Sequence, residues 1–384
     1  MKHILENNVM TLFLEGAITS STAPEAEEEI EKIVRKAKFS SMVLDLDGVS
    51  YLSSAGLRIV LKYKQRYKDV KVTNASPEVY DVLQMTGFTS MMEVKKKLVE
   101  IDVSNCKLIG EGFFSSVYRI DKDTIIKVFR KAVSMENVER ELNLAKEAFV
   151  LGVPTAISYD VVKVGDQLGV RFEMLDCASL RDCFRDHPEQ EKDLAKRYAE
   201  LLTTINTTET VNPKLPKTKD QWLQKVEACK AFLSKEEHAK LLSLISSIEE
   251  RDTFVHGDCH FKNIMVQGND LLLIDMDTLS KGHPIFELAA IYATYIAFEE
   301  ASPGNNLTFL GIDGPQVKRI FREVLDYYFG GLEESTYQKI ALVSYCHMVW
   351  WNETFDPTNT ARHDVVLRRL KETLAEVNDL DIGK

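Results

Sequence analysis

The chain has 384 residues, 45% hydrophobic and 28% charged, too many for one ordinary core, so two or three soluble-type domains are expected. Its formal net charge of −11 argues against nucleic acid or an anionic membrane as the main partner. Six cysteines form no CxxC pair, the longest apolar window (near Leu288–Phe298) is too short to span a bilayer, and no signal-like segment opens the sequence, so a reduced, cytoplasmic setting is expected.

In residues 1–97, Ile4–Glu6 and Met10–Leu14 flank Asn7-Asn8 as a hairpin. Pro24–Lys38 reads as an acidic helix opened by Ser20, Ser21 and Thr22, and Ser41–Leu46 as a buried strand. A helix at Leu57–Tyr67, a strand at Asp69–Thr73 and a helix at Pro77–Met85 complete a small α/β domain. The segment VLDLDGVSYLSSAGLRIVL, with Asp45, Asp47, Val49, Leu52, Ser53, Ser54, Gly56 and Leu57, resembles the STAS (anti-sigma-factor-antagonist) family, as does the turn Asn74-Ala75-Ser76-Pro77. In switching members of that family a phosphorylated Ser or Thr stands just before the glycine; here that position is Ala55. Ser54 opens a helix whose free N–H groups would receive a phosphate; the plainer alternative is that Ser53 and Ser54 only cap it. The resemblance implies a regulatory module that binds a protein partner or self-associates.

Residues 98–180 are expected to form a second unit in which Leu98–Val103 restarts strand alternation. KLIGEGFFSSVYRI then reads as strand, glycine turn and strand. Gly110 and Gly112 would let backbone approach a polyphosphate and Val117 would cover a base, with Ser115 at the third glycine position of GxGxxGxV; a bland hairpin turn is the alternative. The strand Thr124–Phe129 carries Lys127 among apolar neighbours, a costly placement unless the ammonium meets an anion. The helix Val138–Leu151 offers Glu139 or Glu141, of which only one can face inward. These residues, with VEREL and LGVPTA, resemble the kinase-like fold in its aminoglycoside phosphotransferase and choline kinase branch. That resemblance implies a Lys127–Glu141 pair, and a hinge at Met174 and Leu175 that meets the adenine.

Residues 181–384 are mostly helical in pattern, interrupted at TFVHGDCHFKNIMVQGNDLLLIDMDTL (Thr253–Leu279). Gly268-Asn269-Asp270 joins two short strands, Ile264–Val266 and Leu271–Ile274. His256, Asp258 and Asn263 therefore fall before the hairpin and Asp275 and Asp277 after it, an oxygen-rich cluster suited to a hard cation. HGDCHFKNIM and LLLIDMD resemble the H-G-D-x-x-x-x-N and I-D-x-D motifs of the same phosphotransferases, and GHPIFELA their G-D-P-x-x-D-L-A tail, with His283 and Glu287 at the two Asp positions. The resemblance implies ATP and Mg²⁺ as cofactors and a small-molecule hydroxyl as substrate. It makes Asp258 the catalytic base, Asn263 and Asp275 the metal ligands, Asp277 a second metal or substrate contact, and His256 a brace of the loop. Lys262 is a candidate to meet the transferred phosphate, or else solvated. Trp350, Trp351, Glu353 and Asp356 offer aromatic and acidic groups of the kind that attract a cationic amine; packing in a helix core is the alternative.

The expected architecture is an α/β STAS domain followed by an α+β two-lobed protein-kinase-like fold: residues 1–97, an N-lobe and hinge at 98–180, and a helical C-lobe at 181–384 with the phosphotransfer site. Three functions fit: a small-molecule kinase, a protein Ser/Thr kinase or autokinase, and a non-catalytic nucleotide sensor.

Overall fold

The computed structural model describes residues 1–112 and 115–384, which form two compact units, Met1–Ile101 and Asp102–Lys384. In the first, the strands Lys2–Glu6 and Val9–Ile18 pair antiparallel across Asn7 (φ 50°) and Asn8 (φ 66°). Asparagine tolerates this left-handed geometry, which matches the twist of a two-residue hairpin. Val9–Ile18, Ser41–Leu52, Asp69–Ala75 and Val94–Lys96 then continue the sheet in parallel. Helices Ala23–Val34, Ser54–Arg66 and Pro77–Met85 pack on it, around Leu12, Leu44, Leu46, Tyr63 and Val72.

The strand from Ser41 runs six residues past the expected Leu46, because pairing with Val9–Ile18 continues through two register shifts to Ile18↔Leu52. Alternation is lost at those shifts, so the sequence pattern fades there. Ser53 caps the next helix through its hydroxyl, which accepts from the Gly56 N–H at 3.4 Å. Gly56 is fixed by packing, since a Cβ there would lie 2.5 Å from Leu52 Cδ1. Ser54 is the exposed first residue of the helix.

In the second unit, five antiparallel strands lie in the order Ser158–Val164, Gln167–Glu173, Thr124–Phe129, Ser115–Arg119 and Lys107–Glu111. Upstream of them, the strand expected over Leu98–Val103 is confined to Val99–Glu100. Helix Met135–Val150, capped by Ser134, packs on the sheet. The remainder is helical, and its core gathers Phe254, Phe261, Phe286, Tyr292, Tyr295 and Phe321. Set into it is the hairpin Ile264–Gln267/Asp270–Leu273, closed by Gly268 at φ 60° with Gln267 opposite Asp270. Helix Pro284–Tyr292 runs into a π-helical turn, Ala293–Ala297. Among the described residues no helix is long and apolar enough to cross a membrane.

Candidate active site

The sheet places Gly110, Val117, Lys127 and Val170 in one row, because Gly110 pairs with Val117, and Val117 and Val170 both pair with Lys127. Residues directly opposite across strands share a face, so Val117 and Lys127 look the same way. Gly112 turns the hairpin, its N–H donating to the Ser115 carbonyl at 2.8 Å. Neither Gly110 nor Gly112 has a positive φ, and among the described residues a Cβ at either would meet nothing nearer than 3.6 Å. The described residues alone do not require glycine at these positions. At the expected hinge, the Met174 N–H is engaged by the Asp123 carbonyl at 2.8 Å and Leu175 is buried.

Lys127, only 9% exposed, places its ammonium 2.7 Å from Glu141 Oε1 and 2.6 Å from Asp275 Oδ1. Burial opposes its charge, but the two carboxylates outweigh burial and hold the ammonium above its ordinary range. Glu141 is 5% exposed and buried on its helix, whereas Glu139 is exposed; the inward glutamate is the one expected from the resemblance.

The loop from His256 to Asn263 is held from several sides. The His256 Nδ1 accepts from the Asp258 N–H at 3.2 Å and its Nε2 lies 3.3 Å from the Ile274 carbonyl. A neutral ring protonated on Nε2 satisfies both contacts, and burial does lower its basicity. His256 is thus a brace between the loop and the strand leading to Asp275. The fully buried Glu287 carboxylate takes the N–H of His256 at 2.5 Å and of Gly257 at 3.2 and 3.3 Å. Thr278 donates to the His256 carbonyl at 2.7 Å, Tyr198 donates to the Cys259 carbonyl, and the Tyr295 hydroxyl accepts from the Phe261 N–H at 2.8 Å. Gly257 adopts φ 83°, the left-handed geometry that favours glycine.

Asp258, Asp275 and Asp277 lie close enough for their carboxylates to repel one another. Asp275 itself is left-handed, φ 67°, a strained backbone of the kind that gathers at functional sites. The Asp258 side chain is 43% exposed to the cleft, yet burial against the protein, with Asp275 adding repulsion, pushes its carboxyl up to about 6. Burial and Asp275 likewise push Asp277 up to about 6. Asn263 donates Nδ2 to the Asp258 carbonyl and to Asp258 Oδ2, both at 3.0 Å, leaving its amide oxygen uncommitted among the described residues. Crowded carboxylates balanced chiefly by Lys127, with a free amide oxygen beside them, suit a divalent cation. Among the described residues no three His, Cys, Asp or Glu side chains are disposed to hold a metal alone. A carboxylate and a free amide oxygen fit magnesium, which commonly takes one or two protein oxygens and completes its shell with phosphate and water.

Beside Asp258 opens a cleft of about 400 Å³ lined by Gly257, His260, Thr294, Phe298, Asn305 and Phe309 along with Ala290, Ala293, His347, Trp351 and Arg362. The π-helical turn forms part of its wall; such bulges are frequent at functional sites. The residues weighed for a cationic-amine pocket are not all gathered at this cleft. Trp351 lines the cleft, but Trp350 packs beneath Lys225, whose ammonium is 4.9 Å from its ring. Glu353 lies 3.4 Å from His363, and Asp356 is paired with Arg362 at 2.7 Å. Lys262 rests 4.4 Å over the Phe309 ring. Burial brings the His260 imidazole down to about 4 and His347 well below its ordinary range, so both rings are neutral.

Three of the braces, Tyr198, Thr278 and Tyr295, carry no motif, and only contact in the fold reveals them. Glu287 was visible as a departure from the tail motif, without a role. His283 caps the helix after it, its Nδ1 accepting from the Ile285 N–H at 3.2 Å.

A model of the phosphotransferase enzyme family matches residues 105–343, and a model of the STAS domain matches residues 4–101. The candidate anti-sigma factor antagonist BtrV of Bordetella bronchiseptica is 34% identical over 85 residues, 21% of this chain and 72% of BtrV. Among solved structures, ADP-bound aminoglycoside phosphotransferase APH(2″)-Ib aligns with a TM-score of 0.50 at 16% identity, over 78% of this chain and 99% of that one. A choline/ethanolamine kinase family protein from Mesorhizobium loti aligns at 0.48 and 16% identity, over 72% and 89%. At 16% identity the likeness to APH(2″)-Ib is one of fold. The match over residues 105–343, more than half of the chain, together with that over 4–101, makes this protein a member of the phosphotransferase enzyme family that carries an N-terminal STAS domain.

Proposed function

We propose that the chain transfers the γ-phosphoryl group of ATP to a hydroxyl of a small molecule bound in the cleft beside Asp258. The observation that carries this reading is the arrangement around Lys127: one buried ammonium shared by Glu141 and Asp275, with Asp258 facing an open cleft. A lysine fixed in this way is positioned to meet nucleotide phosphates. Gly110 and Gly112, which the described residues do not require, leave backbone room for those phosphates, and Val117 covers the base. Met174 and Leu175 form the hinge. The aminoglycoside phosphotransferase of like fold is an ADP complex, in keeping with a nucleotide here.

Asn263 and Asp275 would hold magnesium, with Asp277 as a further contact; when bound, the ion neutralises charge on the phosphates. The protein's own task is alignment. Asp258 accepts the proton of the acceptor hydroxyl, and a base poised near 6 can do so at neutral pH while remaining mostly ionised. Glu287, His256 and Thr278 fix the loop that carries it. The STAS unit is read as a module for a protein partner or self-association. Ser54 is exposed there and its phosphorylation is not part of this reading.

Acceptor-dependent ADP release across a panel of hydroxyl compounds tests the proposal. Asp258→Asn should lower turnover by roughly two to four orders of magnitude, the range of general-base catalysis. Full turnover in that variant would sink the assignment.

A further inference from the structure

The cleft beside Asp258 carries a charge pattern opposite to that of an amine site. Its Phe298, Phe309 and Trp351 rings are the surfaces on which an ammonium would be expected to rest, yet each already faces a cation of this chain. Arg362 Cζ is 5.6 Å from the Phe298 centroid and 5.5 Å from that of Trp351, and Lys262 Nζ is 4.4 Å from Phe309. Two neighbouring carboxylates are also engaged: Asp356 by Arg362, and Glu299 by the N–H groups of Gly304 and Asn306 at 2.8 and 2.7 Å. Asp258 is the one acidic group among the lining residues.

Arg362 is held in place and incompletely satisfied. Its side chain is 15% exposed. Nη1 donates to Asp356 Oδ2 at 2.7 Å and Nε to Ser302 Oγ at 3.3 Å, while Nη2 is uncommitted among the described residues. Asn359 also donates to Asp356 Oδ2 at 3.2 Å, which helps to fix the carboxylate that holds Arg362. Two further buried groups of the lining have no partner among the described residues, His260 Nδ1 and His347 Nδ1. Unpaired buried polar atoms are costly, and their presence on one cleft points to a ligand that supplies polar atoms.

Resting on the phosphotransfer reading above, we infer that the acceptor is a hydroxy acid: an alcohol whose hydroxyl faces Asp258 and whose carboxylate is met by the free edge of Arg362. Its body lies against Phe298, Phe309 and Trp351. The chemistry favours a carboxylate because the uncommitted Nη2 offers charge-assisted N–H donation to an anionic oxygen. An ammonium at the same place would face Arg362 and Lys262 with no free counter-ion.

The test uses the full chain with saturating Mg·ADP and calorimetric titration of two acids, β-hydroxybutyrate and β-hydroxy-β-phenylpropionate. Each is compared with its primary amide and with the analogue in which trimethylammonium replaces the carboxylate. At least one acid should bind about tenfold tighter than its amide, as expected for a charge-assisted contact, and its ammonium analogue should bind more weakly still. Arg362→Met should erase the acid–amide difference and Arg362→Lys should retain part of it, with circular dichroism reporting whether each variant is folded. The wild-type series decides the question even if both variants fail to fold. Equal binding of acid and amide, a preference for the ammonium analogue, or no binding of either acid while Mg·ADP binds would overturn the inference and leave phosphotransfer standing. A chain that does not bind Mg·ADP removes the phosphotransfer reading and this inference with it.

Discussion

Glu287→Gln separates two opposing effects on one buried carboxylate. Glu287 accepts backbone N–H groups from His256 and Gly257, which favours the ionised form, while burial disfavours it. Burial prevails and pushes the carboxyl from 4.5 up to about 7. The folded protein therefore binds a proton that the unfolded chain has released, throughout the window from pH 4.5 to 7. Stability from this group is fully present below pH 4.5 and is lost as pH rises through 7. The shift of about 2.5 units corresponds to about 3 kcal/mol. Glutamine does not titrate and keeps one acceptor oxygen, but it turns an NH₂ toward the loop and leaves a backbone N–H unpaired, at a cost of roughly 1–3 kcal/mol. Urea unfolding followed by tryptophan fluorescence suits the measurement, because Trp222, Trp350 and Trp351, all three tryptophans of the chain, lie in the larger unit. The stability difference, wild type minus variant, should fall by about 3 kcal/mol between pH 4.5 and 7. Turnover of the variant at pH 8 should drop roughly ten- to a hundredfold, since displacement of the loop moves Asp258. A stability difference that instead grows with pH would refute the reasoning, because the N–H donors would then dominate and keep the carboxylate ionised.

Asp275→Ala should abolish the effect of Mg²⁺ on nucleotide binding, read by nucleotide titration with and without the ion. Alanine keeps a Cβ at φ 67° and removes one of the two carboxylates on Lys127, so circular dichroism should accompany the titration to show that the variant is folded. Gly110→Ala and Gly112→Ala should change unfolding free energy by less than about 0.5 kcal/mol, while raising the KM for ATP severalfold or more. Equal loss of stability and affinity would mean that the hairpin, and not a phosphate, requires glycine. Gly257→Ala should destabilise the larger unit by roughly 1–2 kcal/mol, because a Cβ at φ 83° would also press on the Thr278 carbonyl at 3.3 Å; chemical denaturation measures it.

The elements legible in the sequence were those whose signal is local. The Asn7-Asn8 and Gly268-Asn269-Asp270 turns lie between short apolar runs and were readable from turn chemistry alone. Lys127 in an apolar strand demanded an anion, and the fold supplies two. Asp258, Asn263 and Asp275 were readable because one hairpin brings them together within a few residues of its ends. The braces of the loop were not readable, since they act over distance in the chain: Tyr198 reaches Cys259 across 61 residues, and Tyr295 reaches Phe261 across 34. A tyrosine on an amphipathic helix looks the same whether it fills a core or holds a catalytic loop. The strand beyond Leu46 was missed for a related reason, as its pairing passes through bulges that break the period of two.

The acceptor cleft shows a further limit of the same kind. Trp351, Glu353 and Asp356 form a short sequence cluster with the composition of an amine site. The electrostatic character of Asp356 is set by a partner on the following helix, Arg362. Counting acidic residues gives a negative pocket, whereas the cleft is lined by that arginine and two neutral imidazoles along with Asp258. Recognition depends on the charge that remains after pairing, because a carboxylate already hydrogen-bonded to a fixed guanidinium has little left to offer a passing ammonium. If the cleft takes a hydroxy acid as proposed, Arg362 sets that preference, and such acids should bind ahead of amino sugars and choline-like amines.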